Sequence, residues 1–268
     1  MDPSGGAGLL RDVATVRALG GRALTVQTAG TRQGPGVHQV APAAPELLRQ
    51  ELRSALQAGP TAVKIGMAVG PATAQVLLEA LSGYAGPVVV DPVLATSRGG
   101  ALWAGAPRAL LPLLRRATLC TPNALEAAAL TGRPVATADD AELLGRQLID
   151  SDGLRAVLVK GGHLATADDE TVADVLVTAA GSTRFFRARV PGPSPRGTGC
   201  ALASAIAVML GRELGLDEAV REAGDWLAEL IADPIVVGGE RHLADVADVA
   251  DVADVADTAD LADAGGAD

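Results

Sequence analysis

The sequence predicts a doubly wound α/β domain built on a mainly parallel sheet. Two observations carry this: short apolar runs alternate with helical patterns, and most of those runs end in Gly, Asp, Asn or Lys. A third is that Pro87-Val88-Val89-Val90-Asp91 is apolar on both faces, as a central parallel strand must be when helices cover it on each side. In such sheets ligands lie beyond the carboxyl ends of the strands. The polar residues there, Lys64, Asp91, Asn123 and Lys160, are therefore expected around one crevice.

The elements follow in order. Asp2-Pro3-Ser4-Gly5-Gly6-Ala7-Gly8 is a glycine-rich loop leading into a helical pattern from Leu9 to Leu19, closed by Gly20-Gly21. Loops of this kind normally follow a strand, and here only Met1 precedes it. Residues 22–29 read as a strand and Gly30 to Gly36 as a loop. Glu46 to Leu56 is an amphipathic helix, Ala62 to Gly66 a strand, and Pro71 to Leu81 a helix with Pro at a tolerated early position. After the strand at 87–91 come a helix near 106–115, a strand at 117–121, and helices from Asn123 to Leu130 and from Ala138 to Asp150. Ala156 to Lys160 is a strand running into Gly161-Gly162-His163, and 172–178 with 184–190 suit a hairpin. Helices at 200–213 and 217–232 close the domain, whose expected limits are 1–235. From 244 to 268 the chain repeats Ala-Asp-Val; a period of three sustains neither a helical nor a strand face, so a disordered acidic tail is expected.

Composition narrows the function. The net charge of −10 resides mostly in that tail, whose removal leaves 24 acidic against 22 basic residues and no nucleic-acid surface. Two cysteines fit a reducing cytoplasm rather than a disulfide framework. No signal peptide is read at the N-terminus, and no run of about twenty uncharged apolar residues implies a membrane span.

The chemistry centres on Gly197-Thr198-Gly199-Cys200, directly before the apolar helix. Glycines let successive amides turn toward one point, and a helix N-terminus favours negative charge there. A cysteine on that first turn is expected to have a lowered pKa and to serve as base or nucleophile; a small buried capping Cys is the alternative. Asn123 and Glu126, three apart at a helix start, suit either a metal ion or a capping box. Lys160 can reach phosphates from its strand end or simply extend to solvent.

Six motifs occur in order: Asp2 to Gly8, Lys64-Ile65-Gly66-Met67, Val90-Asp91-Pro92-Val93, Thr121-Pro122-Asn123-Ala124-Leu125-Glu126, Val159-Lys160-Gly161-Gly162-His163-Leu164 and Gly197 to Cys200. Together, over about residues 2–232, they resemble the hydroxymethylpyrimidine and phosphomethylpyrimidine kinases of thiamine biosynthesis, within the ribokinase-like superfamily. The resemblance implies a three-layer α/β/α sandwich whose first strand is missing, and ATP-dependent phosphorylation of 4-amino-5-hydroxymethyl-2-methylpyrimidine and its monophosphate. It implies Cys200 as base, with the amides of Gly197, Thr198 and Gly199 around the moving phosphoryl group. Asp2, Gln33 and Met67 would contact substrate, Lys160, Asn123 and Thr198 the nucleotide, and Glu126 with Asn123 Mg²⁺. A homodimer is common in the resembling family. Gln33 is placed by counting, since Gly34-Pro35-Gly36 replaces a family Gln-Asn pair, and Gln27 is the local alternative. Arg196 stands where the family usually has His. A pyridoxal-type kinase of the same fold, or an inactive pyrimidine-binding paralogue, are the competing readings.

Overall fold

The computed structural model describes residues 6–34, 36–96, 100–166, 170–237 and 239–244. Asp2 and the repeat after Ala244 lie outside them, as do the side chains of Gln33 and His163.

The chain runs α1 (Leu9–Ala18), β1 (Ala29–Gly34), β2 (Gly36–Pro42), α2 (Pro45–Gln57), β3 (Val63–Ile65), α3 (Pro71–Ala80), β4 (Val88–Val90), α4 (Leu111–Arg116), β5 (Leu119–Cys120) and α5 (Ala124–Thr131). It continues with α6 (Ala138–Asp150), β6 (Ala156–Val159), β7 (Thr171–Thr178), β8 (Gly181–Ala188), α7 (Thr198–Gly211), α8 (Leu216–Ala232), β9 (Ile235–Val237) and β10 (Glu240–His242). A six-stranded sheet orders β3-β4-β5-β6-β7-β8; β3 to β6 are parallel, whereas β7 and β8 return antiparallel.

The central strands split their side chains between two cores, as a period of two requires. Val88, Val90, Cys120, Val157 and Val159 face the layer of α3 to α6, whereas Val89, Leu119, Ala156 and Leu158 face α7 and α8. α1 lies against α7 and α2 against α3, completing three layers. Alanines at 201, 203, 205 and 207 let α7 pass close to β4, and all four are buried. Among the described residues no helix is long and apolar enough to cross a membrane.

Three expectations change. Residues 22–28 belong to no strand or ladder. Their β-favouring residues cannot make a strand without a partner edge, and their anchors are local: Thr28 donates its hydroxyl to Met67 O (2.7 Å) and accepts at its carbonyl from Ala43 N–H (2.9 Å). The segment from Gly30 to Gly36, read as a loop, instead holds most of β1 and the first residue of β2 in a hairpin, with a bulge between Arg32 and Gln33. The helix expected at 106–115 starts as a 3₁₀ turn at Pro107–Leu110; Pro112, lacking an N–H, sits in the first turn of α4. One hairpin, β9–β10, was not foreseen, and it carries the packed body past residue 235. Among the described residues β3 and β8 are the edge strands of the sheet.

Candidate active site

The carboxyl ends of the parallel strands open into a cleft of about 1460 Å³, lined by Lys64, Asp91, Asn123 and Lys160 as the topology requires. Gly197 turns the chain into α7 with φ 78°, a left-handed conformation natural to glycine. A Cβ there would also collide with the Gly6 carbonyl, so the two turns can touch only because Gly197 lacks a side chain. The first bond of the α7 ladder joins Ala201 N–H to Gly197 O (2.9 Å). The amides of Thr198, Gly199 and Cys200 therefore lie ahead of that ladder, at the positive end of the helix.

Lys160 reaches this turn from β6. A Cβ on Gly199 would stand 3.1 Å from its ammonium. Lys160 Nζ donates to Asp91 Oδ1 (2.6 Å) and lies 4.0 Å from Glu126 Oε2. Burial works to lower its pKa, but Asp91 and then Glu126 outweigh it, so the ammonium is held above its ordinary value. The following turn is pinned from β7: Gly161 N–H donates to the buried Asp174 (2.6 Å), itself paired with Arg187 (3.2 Å). A side chain at Gly161 would overlap the Ala173 backbone.

Asn123 and Glu126 form the capping box: Asn123 Oδ1 accepts Glu126 N–H (2.9 Å), and Glu126 Oε2 accepts Asn123 N–H (2.8 Å). Burial pushes the Glu126 carboxyl up to about 7, against the pull of Lys160. Among the described residues no three His, Cys, Asp or Glu side chains cluster around a common metal position. The donors that do fit a hard cation are oxygens, with the Glu126 carboxylate foremost, so any such ion would draw its remaining ligands from phosphate and water.

Cys200 is partly exposed and lines the cleft. The expectation of a lowered thiol pKa is reversed. Burial pushes it up, and the Lys64 charge and a hydrogen bond from the Gly8 amide only partly oppose this. Lys64 is the counter-charge, and its own ammonium is fixed by Asp12, one turn into α1, at 2.7 and 2.8 Å. Ser204, one turn after Cys200, donates its hydroxyl to the same carboxylate (2.9 Å). Burial disfavours the Lys64 charge, yet Asp12 and then Cys200 and Asp91 raise its pKa well above the ordinary lysine value.

The cleft thus gathers Gly197, Thr198, Gly199, Cys200, Lys160, Asn123, Glu126 and Met67. Gln33 lies on β1 opposite Val37, and Asp2 falls outside the described residues. Gln27, its alternative, also lines the cleft and donates to Ala29 O (3.1 Å). Sequence reasoning missed Asp12, Ser204 and Asp174. The only available signal for the first was a carboxylate placed just after a glycine-rich turn.

A family profile described as phosphomethylpyrimidine kinase matches residues 2–244. The chain is similar to the hydroxymethylpyrimidine/phosphomethylpyrimidine kinase of Escherichia coli, 37% identical over 88% of this chain and 91% of that one. It is 32% identical to the Aquifex aeolicus enzyme of the same description, over 91% and 96% of the two chains. Among solved structures, pyridoxal kinase from Staphylococcus aureus in complex with AMP-PCP superposes with a TM-score of 0.82 at 25% identity, covering 92% and 90%. Phosphomethylpyrimidine kinase from Clostridium difficile superposes with 0.70 at 30%, covering 84% and 94%.

Proposed function

The chain belongs to the phosphomethylpyrimidine kinase family, and from that premise we propose that its cleft phosphorylates 4-amino-5-hydroxymethyl-2-methylpyrimidine and then the resulting monophosphate, with ATP as donor. It is an ATP-dependent kinase of thiamine biosynthesis with a ribokinase-like fold. The observation that carries the site assignment is geometric. Cys200 and the amides of Thr198 to Cys200 open on the same cleft as Lys160, with Lys64 held where its charge favours the thiolate.

Phosphoryl transfer asks a protein mainly to position its reactants and to neutralise charge. The acceptor hydroxyl loses its proton to Cys200 as its oxygen bonds to phosphorus, and the bond from that phosphorus to the leaving phosphate oxygen breaks. Burial raises the thiol pKa, and the fixed Lys64 charge beside it partly opposes that rise and favours the thiolate. The amides at the α7 start and the Lys160 ammonium oppose the charge that builds on the transferring oxygens. Glu126, held by the Asn123 cap, would bind Mg²⁺, which supplies charge neutralisation on the phosphate chain when present. Met67 packs against the pyrimidine and Gln33 and Asp2 hydrogen-bond it in this reading, and a cytoplasmic homodimer is part of the same proposal.

Pyridoxal is the second candidate alcohol, because the superpositions on pyridoxal kinases score higher than that on the Clostridium difficile enzyme. The test is steady-state kinetics with ATP, Mg²⁺ and each alcohol. The pyrimidine should give the higher kcat/KM, and Cys200→Ala should lower kcat by about 10²–10⁴-fold, the usual contribution of a general base. A near-normal rate in Cys200→Ala would reject the base assignment, and preference for pyridoxal would reassign the substrate.

A further inference from the structure

The β9–β10 hairpin has no part in the roles above, yet it touches both glycine turns of the cleft. Arg241, in the middle of β10, donates Nη1 to Pro191 O (3.1 Å) and to Pro193 O (2.9 Å). Its own carbonyl accepts from Arg196 N–H (3.0 Å), and Arg196 makes a parallel bridge with His242. The chain entering the anion turn is therefore stitched to β10 from 191 to 196.

The sequence of that segment explains why it needs an outside partner. Pro191, Pro193 and Pro195 have no N–H, so alternate positions offer acceptors without donors and the segment cannot close a ladder of its own. A guanidinium, which carries only donors, matches a row of carbonyls. Gly192 completes the fit with φ 94°; a Cβ there would lie 2.6 Å from Arg241 Nη1, so the guanidinium occupies the space that a side chain would fill.

The next two residues reach the other turn and the helix that follows it. His242 is buried, and a Cβ on Gly6 would stand 2.6 Å and 2.8 Å from its ring atoms Nδ1 and Cε1. The Leu243 carbonyl faces Nη2 of the buried Arg11 (3.5 Å). Gly6 in turn is the close neighbour of Gly197. The strand thus grips the approach to the anion turn with Arg241 and the N-terminal glycine turn with His242, and the following Leu243 holds α1 through Arg11.

The geometry points to β10 as a brace that fixes the anion turn against the Gly6–Gly8 turn, with Arg241 as a positioning residue for phosphoryl transfer rather than a phosphate ligand. It rests on the kinase reading only for its kinetic consequence. Oriented amides stabilise a transferring phosphoryl group only if they need not reorganise during the reaction, and a misplacement of about 1 Å costs roughly 10²-fold in rate.

The test compares wild type with Arg241→Met, similar in length but without donors, and Arg241→Lys, whose ammonium can still serve both carbonyls. Amide hydrogen exchange should quicken between residues 192 and 200 in the Met variant while β6 and β7 keep wild-type protection. In the same variant kcat should fall roughly 10²-fold with the KM for the alcohol unchanged, and Lys should restore most of both. Three results overturn the brace: unchanged exchange with unchanged kinetics, a raised KM for ATP without faster exchange, or faster exchange spread across β6 and β7. If wild type phosphorylates neither alcohol, the kinase reading falls and the exchange comparison still decides the brace.

Discussion

Lys64→Met tests the electrostatic core of the site, because Met keeps the length of the side chain and removes its charge. Lys64 Nζ lies 2.7 Å from Asp12 Oδ1, with the two side chains 9% and 19% exposed. At an effective dielectric of about 20, unit charges at that separation attract by about 6 kcal/mol. Desolvation of both groups offsets most of this, so the intact pair is worth little net, but deleting one partner strands a buried charge at a cost of about 3–5 kcal/mol. The Ser204 hydroxyl remains on Asp12, which places the expectation near the lower end, about 3 kcal/mol or roughly 6–12 °C in Tm for a chain of this size. The double variant with Asp12→Asn, which carries neither charge, should recover most of that loss. The raised pKa of Lys64 means that its stabilising charge is complete below the unfolded value near about 10.4 and fades only as pH rises through the higher folded value. The Tm difference should accordingly stay constant from about pH 6 to 9. Kinetics give an independent sign: Lys64 lowers the Cys200 thiol and Asp12 raises it. The acid limb of log kcat/KM should therefore move to higher pH in Lys64→Met and to lower pH in Asp12→Asn. Thermal melts and pH-rate profiles on the three variants decide it. A Lys64→Met Tm within about 1 °C of wild type, or both limbs moving in one direction, refutes the reasoning.

Gly161→Ala drives a methyl into the Ala173 backbone, which cannot yield as a flexible side chain would, so about 1–3 kcal/mol should be lost in urea unfolding. Because Gly161 follows Lys160 directly, the KM for ATP should rise as well; a normal KM in a destabilised variant would detach Lys160 from nucleotide binding. Glu126 titrates at about 7 against an ordinary 4.5, so across that interval the folded state holds a proton that the unfolded state lacks. Wild-type stability should fall as pH rises from about 4.5 to 7, and Glu126→Gln should remove that fall, as read from urea midpoints at both ends of the interval. Equal slopes in the two proteins would mean that burial does not govern this carboxyl.

What could be read from the sequence follows from where the information lies. β4 and β6 are legible because strands covered on both faces must be apolar throughout, and their polar ends, Asp91 and Lys160, then mark the cleft. Asn123 and Glu126 are legible as a spacing, but the same spacing serves cap and cation alike, and only coordinates show the cap made. Residues 22–28 mislead because β-favouring residues record a preference, whereas a strand also needs a neighbour within hydrogen-bonding reach. The Asp12–Lys64 and Arg241–Pro193 contacts join residues 52 and 48 positions apart, and no local pattern encodes them.

The depressed thiol expected at Cys200 fails for a related reason, and the failure bears on how the site works. A helix N-terminus contributes a partial charge that fades within one turn, whereas burial acts on the whole thiolate. Each nearby ammonium is already held by a carboxylate, Lys64 by Asp12 and Lys160 by Asp91, so neither offers its full charge to the sulfur. The cleft lining still carries more arginine and lysine than acidic residues, and Glu126 adds a further carboxyl beside Lys160. In the proposed reading a phosphate chain entering there would meet the α7 amides and a lysine shared with Asp91, among the arginines that line the cleft. Burial of the sulfur therefore outweighs a Lys64 charge already shared with Asp12, and the Cys200 thiol is held above its ordinary value.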